Sequence, residues 1–214
     1  MRLWQSGLVK SVATASSIFS GIHYIRDHKN ILGAISLDLF AVLLGGATSL
    51  FPAYAHDILH TGPWGLGLLR LSPALGALGT SVFLARHPLR SKAGIRMFVA
   101  VMVFGLATIA FAFSRSLWLS MAILVVLGSA DVVSVVIRST LVQLETPDEM
   151  RGRVSAVNTL FIGTSNQLGE FESGLTASWL GLVPATVIGG VGSIVVALLW
   201  MRLFPGLRRL DRLR

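Results

Sequence analysis

Six apolar stretches follow one another through this chain, separated by short polar connectors. Crossing the hydrocarbon of a bilayer as a helix takes about 20 mostly apolar residues. The stretches cover residues 31–55, 65–85, 95–113, 117–137, 154–180 and 183–204. The pattern predicts an all-α polytopic membrane protein with six transmembrane helices. Only 13% of residues are charged, against about 25% in an ordinary soluble domain. Glycine, at 22 residues, suits close helix packing in lipid, where small residues let backbones approach. The chain divides into a connector over residues 1–30, a six-helix domain over 31–204 and a basic tail over 205–214.

The net charge of +8 would suggest nucleic acid in a soluble protein. Here the basic residues sit between the apolar stretches, so topology explains them and no nucleic-acid partner is expected. Of the Lys and Arg residues, only Arg70 and Arg115 fall on one side of the six-span arrangement. The positive-inside rule then places both termini in the cytoplasm, with the lipid bilayer as the first partner. Residues 11–29 read as a helix, with Ile18, Ile22 and Ile25 near one face. It either lies along the membrane surface or extends the first span. No cleavable signal peptide is evident in residues 1–30.

Polar groups inside spans are costly and mark function more often than elsewhere. The fifth span contains Asn166, Gln167, Glu170 and Glu172. Glu170 lies one turn after Asn166 and is the stronger candidate; Glu172 sits nearer the outer edge. Asp38 in the first span and Asp131 in the fourth fall at a similar depth, so they can line one cavity. Asp38, Asn166, Gln167 and Glu170 are the candidates for a transport path or proton coupling. Asp131 is assigned a structural role, because Arg138 lies two turns later on the same helix face; an Arg stem of that length can reach either acid. In the connector Thr146-Pro-Asp-Glu-Met-Arg-Gly-Arg153, Thr146 and Pro147 look like a helix start, with Asp148 and Glu149 in the first turn. Arg151 and Arg153 are expected to clamp acidic groups of neighbouring helix ends. That makes the segment a gating latch or a capped loop. Pro52, Pro73 and the runs around Gly76 and Gly189 are expected to break or thin their helices.

Several chemistries are missing. There is no GxxxxGK[ST] loop for ATP and no HExxH pair for a metalloprotease. All five histidines lie outside or at the ends of the spans, which leaves Gly163-Thr-Ser165 without a base. With no cysteine, there is no Cys-based zinc site or thiol nucleophile. No enzyme, cofactor or metal site is expected.

Three strings are more specific: Arg138-Ser-Thr-Leu-Val-Gln143, Thr146-Pro-Asp-Glu-Met-Arg-Gly-Arg-Val154 and Gly163-Thr-Ser-Asn-Gln-Leu-Gly-Glu-Phe-Glu-Ser-Gly174. With Ser36-Leu-Asp-Leu-Phe-Ala-Val-Leu-Leu-Gly-Gly46 and Gly65-Leu-Gly-Leu-Leu-Arg70, they resemble the second half of a major facilitator superfamily transporter. The branch is the one that includes the bacterial enterobactin exporter. The resemblance implies twelve helices in two halves, a small-molecule substrate between them and efflux driven by an ion gradient. It makes the six spans helices seven to twelve and residues 11–29 the connector before them. The missing wall would come from a second six-helix half, as a separate chain or a second copy. The alternative is a membrane remnant or scaffold that does not transport and pairs with another membrane chain.

Overall fold

A computed structural model describes residues 15–87 and 91–211. Helix α1 (Ala15–Asp27) precedes α2 (Lys29–Gly45), which continues through a 3-10 turn (Ala47–Leu50), α3 (Phe51–Ala53) and a π turn (Tyr54–Ile58). Then come α4 (Pro63–Arg86), α5 (Ala93–Phe113), α6 (Leu117–Glu145), α7 (Asp148–Leu180), α8 (Leu182–Leu203) and α9 (Pro205–Arg208). Among the described residues, five segments are long and apolar enough to cross a membrane: Lys29–Ile58, Pro63–Arg86, Ala93–Phe113, Leu117–Glu145 and Leu182–Leu203. The sixth long helix, α7, has 33 residues but is more polar. The protein is an all-α, polytopic membrane protein.

Why the bundle closes follows from small residues rather than from oil-drop burial, since lipid is as apolar as leucine. Gly76 of α4 sits on the Val125 carbonyl of α6, and Gly128 of α6 on the backbone of Pro73. Gly105 of α5 and Gly190 of α8 face each other, and Gly189 meets the Leu44 carbonyl of α2. A side chain at these points would collide with backbone. Hydrogen bonds add to each seam. Ser129 Oγ donates to Gly76 O at 3.2 Å, and Ser193 Oγ to Ala41 O at 2.9 Å. Trp200 Nε1 donates to Ser36 Oγ at 2.9 Å. Each such bond contributes about 0.6 kcal/mol in a membrane bundle.

Two core clusters stack along the bundle. One holds Leu37, Met97, Phe98, Ile137 and Ala197; the other holds Phe51, Tyr54, Leu69, Phe111 and Leu124. A third joins α1 to the bundle through Ile25, Ile31, Val142, Val154 and Val157. Trp64, Trp118 and Trp179 are 86%, 73% and 75% exposed. They begin α4, begin α6 and end α7, so all three stand at one end of the bundle. Tryptophan collects at membrane–water interfaces, so this ring marks one edge of the bilayer. Arg86, Lys92, Arg202 and Arg208 mark the other, basic end.

The structure departs from the sequence expectations in three places. Pro73 does not break α4, which runs through it; Ser72 Oγ donates to Leu68 O at 2.7 Å beside it. The first span instead changes geometry at Gly46, before Pro52, where it crosses Gly169 of α7. Thr146 ends α6 and Pro147 is the residue that caps α7. Of the two readings of residues 11–29, a continuous extension of the first span is excluded: α1 is separate from α2, with His28 extended between them (φ −103°, ψ 93°). It packs on α7 through Ile25 and Gly21, while Phe19 and Ile22 stay exposed. Residues 11–14 of the expected helix lie outside the described residues.

Candidate functional site

Helix α7 is two-faced. Ser165, Gly169 and Ser173 form a stripe of small buried residues spaced by four, and through it α7 lies against its neighbours. Gly169 approaches the Val42 and Leu43 carbonyls of α2 at the crossing. Asn166 and Glu170 follow the stripe by one position each, about 100° round the helix, and they are exposed. Both line an open groove. Its other walls are the end of α2 (Val42, Gly45, Gly46), Pro73 and Ala77 of α4, and Gly128 and Asp131 of α6. Four polar side chains therefore share one concavity: Thr48, Asp131, Asn166 and Glu170. Gln167 is exposed and is not part of the groove wall. Glu172 accepts a hydrogen bond from Thr176 Oγ1 at 2.9 Å, one turn later on its own helix.

Behind the groove lies a much smaller cavity, lined by Asp38, Asp131, Phe104 and Ser134 among others. Asp131, Val42 and Phe104 border both spaces. The structure thus brings Asp38 and Asp131 to one cavity. It does not pair Asp131 with Arg138. Arg138 Nη1 is ion-paired with Asp38 Oδ1 of α2, and the two side chains are 5% and 12% exposed. Residues 131 and 138 share a helix face, but α2 crosses that face at the level of Arg138 and supplies the nearer acid.

The connector between α6 and α7 also differs from expectation. Arg151 forms an ion pair with Asp148 of its own first turn at 2.5 Å, and Nε donates to Gln143 O at 3.1 Å. The second bond satisfies one of the orphan carbonyls at the end of α6. Arg153 reaches no carboxylate there; Nη1 donates to Ser20 Oγ of α1 at 3.4 Å. Glu149 is exposed. The acid that does tie helix ends together is Glu145. Its side chain accepts from Asn30 Nδ2 at 3.1 Å, and its carbonyl accepts from Tyr24 Oη at 2.8 Å. Sequence reasoning passed over Glu145, Asn30 and Tyr24, because partners more than a hundred residues apart leave no local signal. The tryptophan ring was also missed, though its position at the span ends was readable.

A family model described as transmembrane secretion effector matches residues 9–212. The multidrug efflux pump Tap of Mycobacterium tuberculosis is 29% identical over 209 residues, which are 96% of this chain and 47% of that protein. The enterobactin exporter EntS of Citrobacter koseri is 28% identical over 207 residues, 86% of this chain and 48% of that protein. The uncharacterized MFS-type transporter YfmI of Bacillus subtilis is 22% identical over 188 residues, 85% and 46%. The chain spans about half the length of the curated relatives it matches. No solved structure matches. With the match covering nearly all of its residues, this chain belongs to the transmembrane secretion effector family of the major facilitator superfamily.

Proposed function

We propose that the chain forms the C-terminal half of a major facilitator transporter that exports a small molecule under an ion gradient. One observation carries this reading: the uncovered polar face of α7, with Asn166 and Glu170 across a groove from Asp131. Gly163 and Gly174 on that helix also look onto open space. A carboxylate at mid-bilayer depth costs about 2.5–3.5 kcal/mol against lipid, so this face needs a wet cavity and a protein wall opposite. A second six-helix half, from another chain or another copy, supplies that wall. The relatives named as efflux pump and exporter support the outward direction. Glu170 and Asp131 are the proton-carrying or substrate-contacting groups, with Asn166 and Gln167 on the same helix nearby. Asp38 acts through Arg138, as a buried pair behind the groove. Asp148, Glu149, Arg151 and Arg153 form the structural or gating joint between α6 and α7.

The basic end faces the cytoplasm in this reading. The concentration of Lys and Arg there supports it, as does the tryptophan ring at the opposite end. Both termini are then cytoplasmic, in a bacterial inner membrane.

Co-expression with the N-terminal half of a related efflux pump tests the reading. The pair is expected to extrude a fluorescent cationic dye from energised cells, and either half alone is not. Glu170→Gln is expected to abolish extrusion while leaving the halves associated. Failure to extrude a broad dye panel with any matching half, although the halves associate, would favour a scaffold.

A further inference from the structure

The groove beside Glu170 uses one face of the bundle. On another face two concavities meet at Ile95. The first is a recess at the basic end, walled by Lys92, Arg208, Arg209 and Asp211 among others. The second is a shallow groove running between α4, α5 and α6. Its lining is mostly apolar, Val99, Val103, Val126 and Val133 with Thr80 and Ser129 among them, and Arg96 at the basic end. Ile95 borders both, so apolar groove and basic recess form one continuous surface.

The recess is held open by contacts far apart in sequence. Leu207 is only 1% exposed, wedged against Gly33 and Gly94. Asp211 Oδ1 accepts from the Lys92 N–H at 3.0 Å, and Leu210 O accepts from the Gly94 N–H at 3.1 Å. These bonds fix Lys92 in the left-handed region (φ 53°) and present Lys92, Arg208 and Arg209 around one hollow. None of the ion pairs among the described residues involves Lys92, Arg96, Arg208 or Arg209. Asp211 is the one acid in the wall of the recess, and its carboxylate already faces backbone.

Depth decides the occupant. Helix α5 has 21 residues, hence a length of roughly 32 Å, close to the hydrocarbon thickness of about 30 Å. Lys92 immediately precedes α5 and so stands at the level of lipid phosphates. The valine groove runs from there into the acyl region. A protein helix would meet apolar groups along its whole length and would leave the cations unmatched. An amphiphile with one anionic end matches both parts.

We propose that the recess and the groove together bind one anionic glycerophospholipid, its phosphate among Lys92, Arg208 and Arg209 and an acyl chain along the valines of α5 and α6. The inference rests on the chain lying in a bilayer and not on transport. Its readout is lipid binding, so it fails or stands separately from the function proposed above.

Native mass spectrometry of the delipidated full chain, titrated with dioleoyl phosphatidylglycerol or dioleoyl phosphatidylcholine, tests it. The anionic lipid is expected to bind at least about tenfold more tightly, since each basic side chain near a lipid headgroup adds appreciably to the attraction. Added salt is expected to erase that preference in the wild-type chain. Lys92→Asn with Arg208→Gln and Arg209→Gln should bring the ratio near one. Val103→Trp should weaken both lipids, and Arg70→Gln, at the far end, should change neither. Equal affinity for the two lipids, or an unchanged ratio in the triple variant, would overturn the proposal. So would full displacement by inorganic phosphate with no effect of Val103→Trp, which would reveal a plain anion site. A photo-crosslinker at Val103 that captures a protein chain in membranes instead of phospholipid would also overturn it.

Discussion

Asp38 and Arg138 show how much one buried ion pair controls in a thin bundle. Each is buried, and each faces the other across α2 and α6. Removing one partner strands a charge in a low-dielectric setting, which costs about 3–5 kcal/mol in buried pairs. Replacing both removes the stranded charge. Asp38→Asn and Arg138→Gln are therefore each expected to lower the thermal midpoint in detergent strongly, and the double variant by less than the sum. Additive losses in that cycle would show the two side chains to be independent. The pairing was half legible in the sequence. The spacing from Asp131 to Arg138 is visible along one helix and favoured Asp131, although an Arg stem can reach either acid; the structure pairs it with Asp38. Asp38 enters only when α2 is laid on α6, a contact no local pattern encodes. Glu170 with Asn166 was legible, because polar residues one turn apart on a helix share a face.

Helices meet here through backbone, and the glycines are not equivalent. Gly76 and Gly79 belong to one run, yet only Gly76 is buried against α6; Gly79 faces open space. Gly128 lies against the carbonyl of Pro73, opposite Gly76 along the same seam. Gly128→Val forces α4 and α6 apart and is expected to destabilise the bundle by about 1–3 kcal/mol, the usual range for overpacking. Gly79→Ala adds a methyl group to an exposed helix position and is expected to be neutral or stabilising by up to about 1 kcal/mol. Thermal unfolding of both variants checks the contrast. A Gly128→Val chain as stable as wild type would mean that the seam is loose. The same seam forms two walls of the polar groove, so the element that packs the bundle also shapes the site. Sequence showed the glycine enrichment but not which glycines touch. The difference lies in helix phase, and within one run that phase was unknown.

At the scale of the whole molecule, the spans were legible because a bilayer sets a length and a polarity that composition must satisfy. Helix α7 was legible for the opposite reason: it is too polar for lipid, so it needed another explanation. The last residues were not legible. Read as a basic tail, residues 205–211 in fact insert Leu207 between α2 and α5, a contact closed by glycines far upstream. The chain contains no cysteine, so single cysteines report on it without a background. Asn166 and Leu168 are both exposed on α7, and two residues apart they point about 200° away from each other. Asn166 lines the polar groove; Leu168, 52% exposed and apolar, does not. If the groove is the half-built path proposed above, water reaches position 166 and lipid covers position 168. Asn166→Cys is then expected to react with a charged, membrane-impermeant maleimide in open membranes, and Leu168→Cys to react far more slowly. Co-expression of a matching half should slow the reaction at position 166 by narrowing the groove. Equal labelling at both positions, with or without that half, would mean that α7 does not present its polar face to a path.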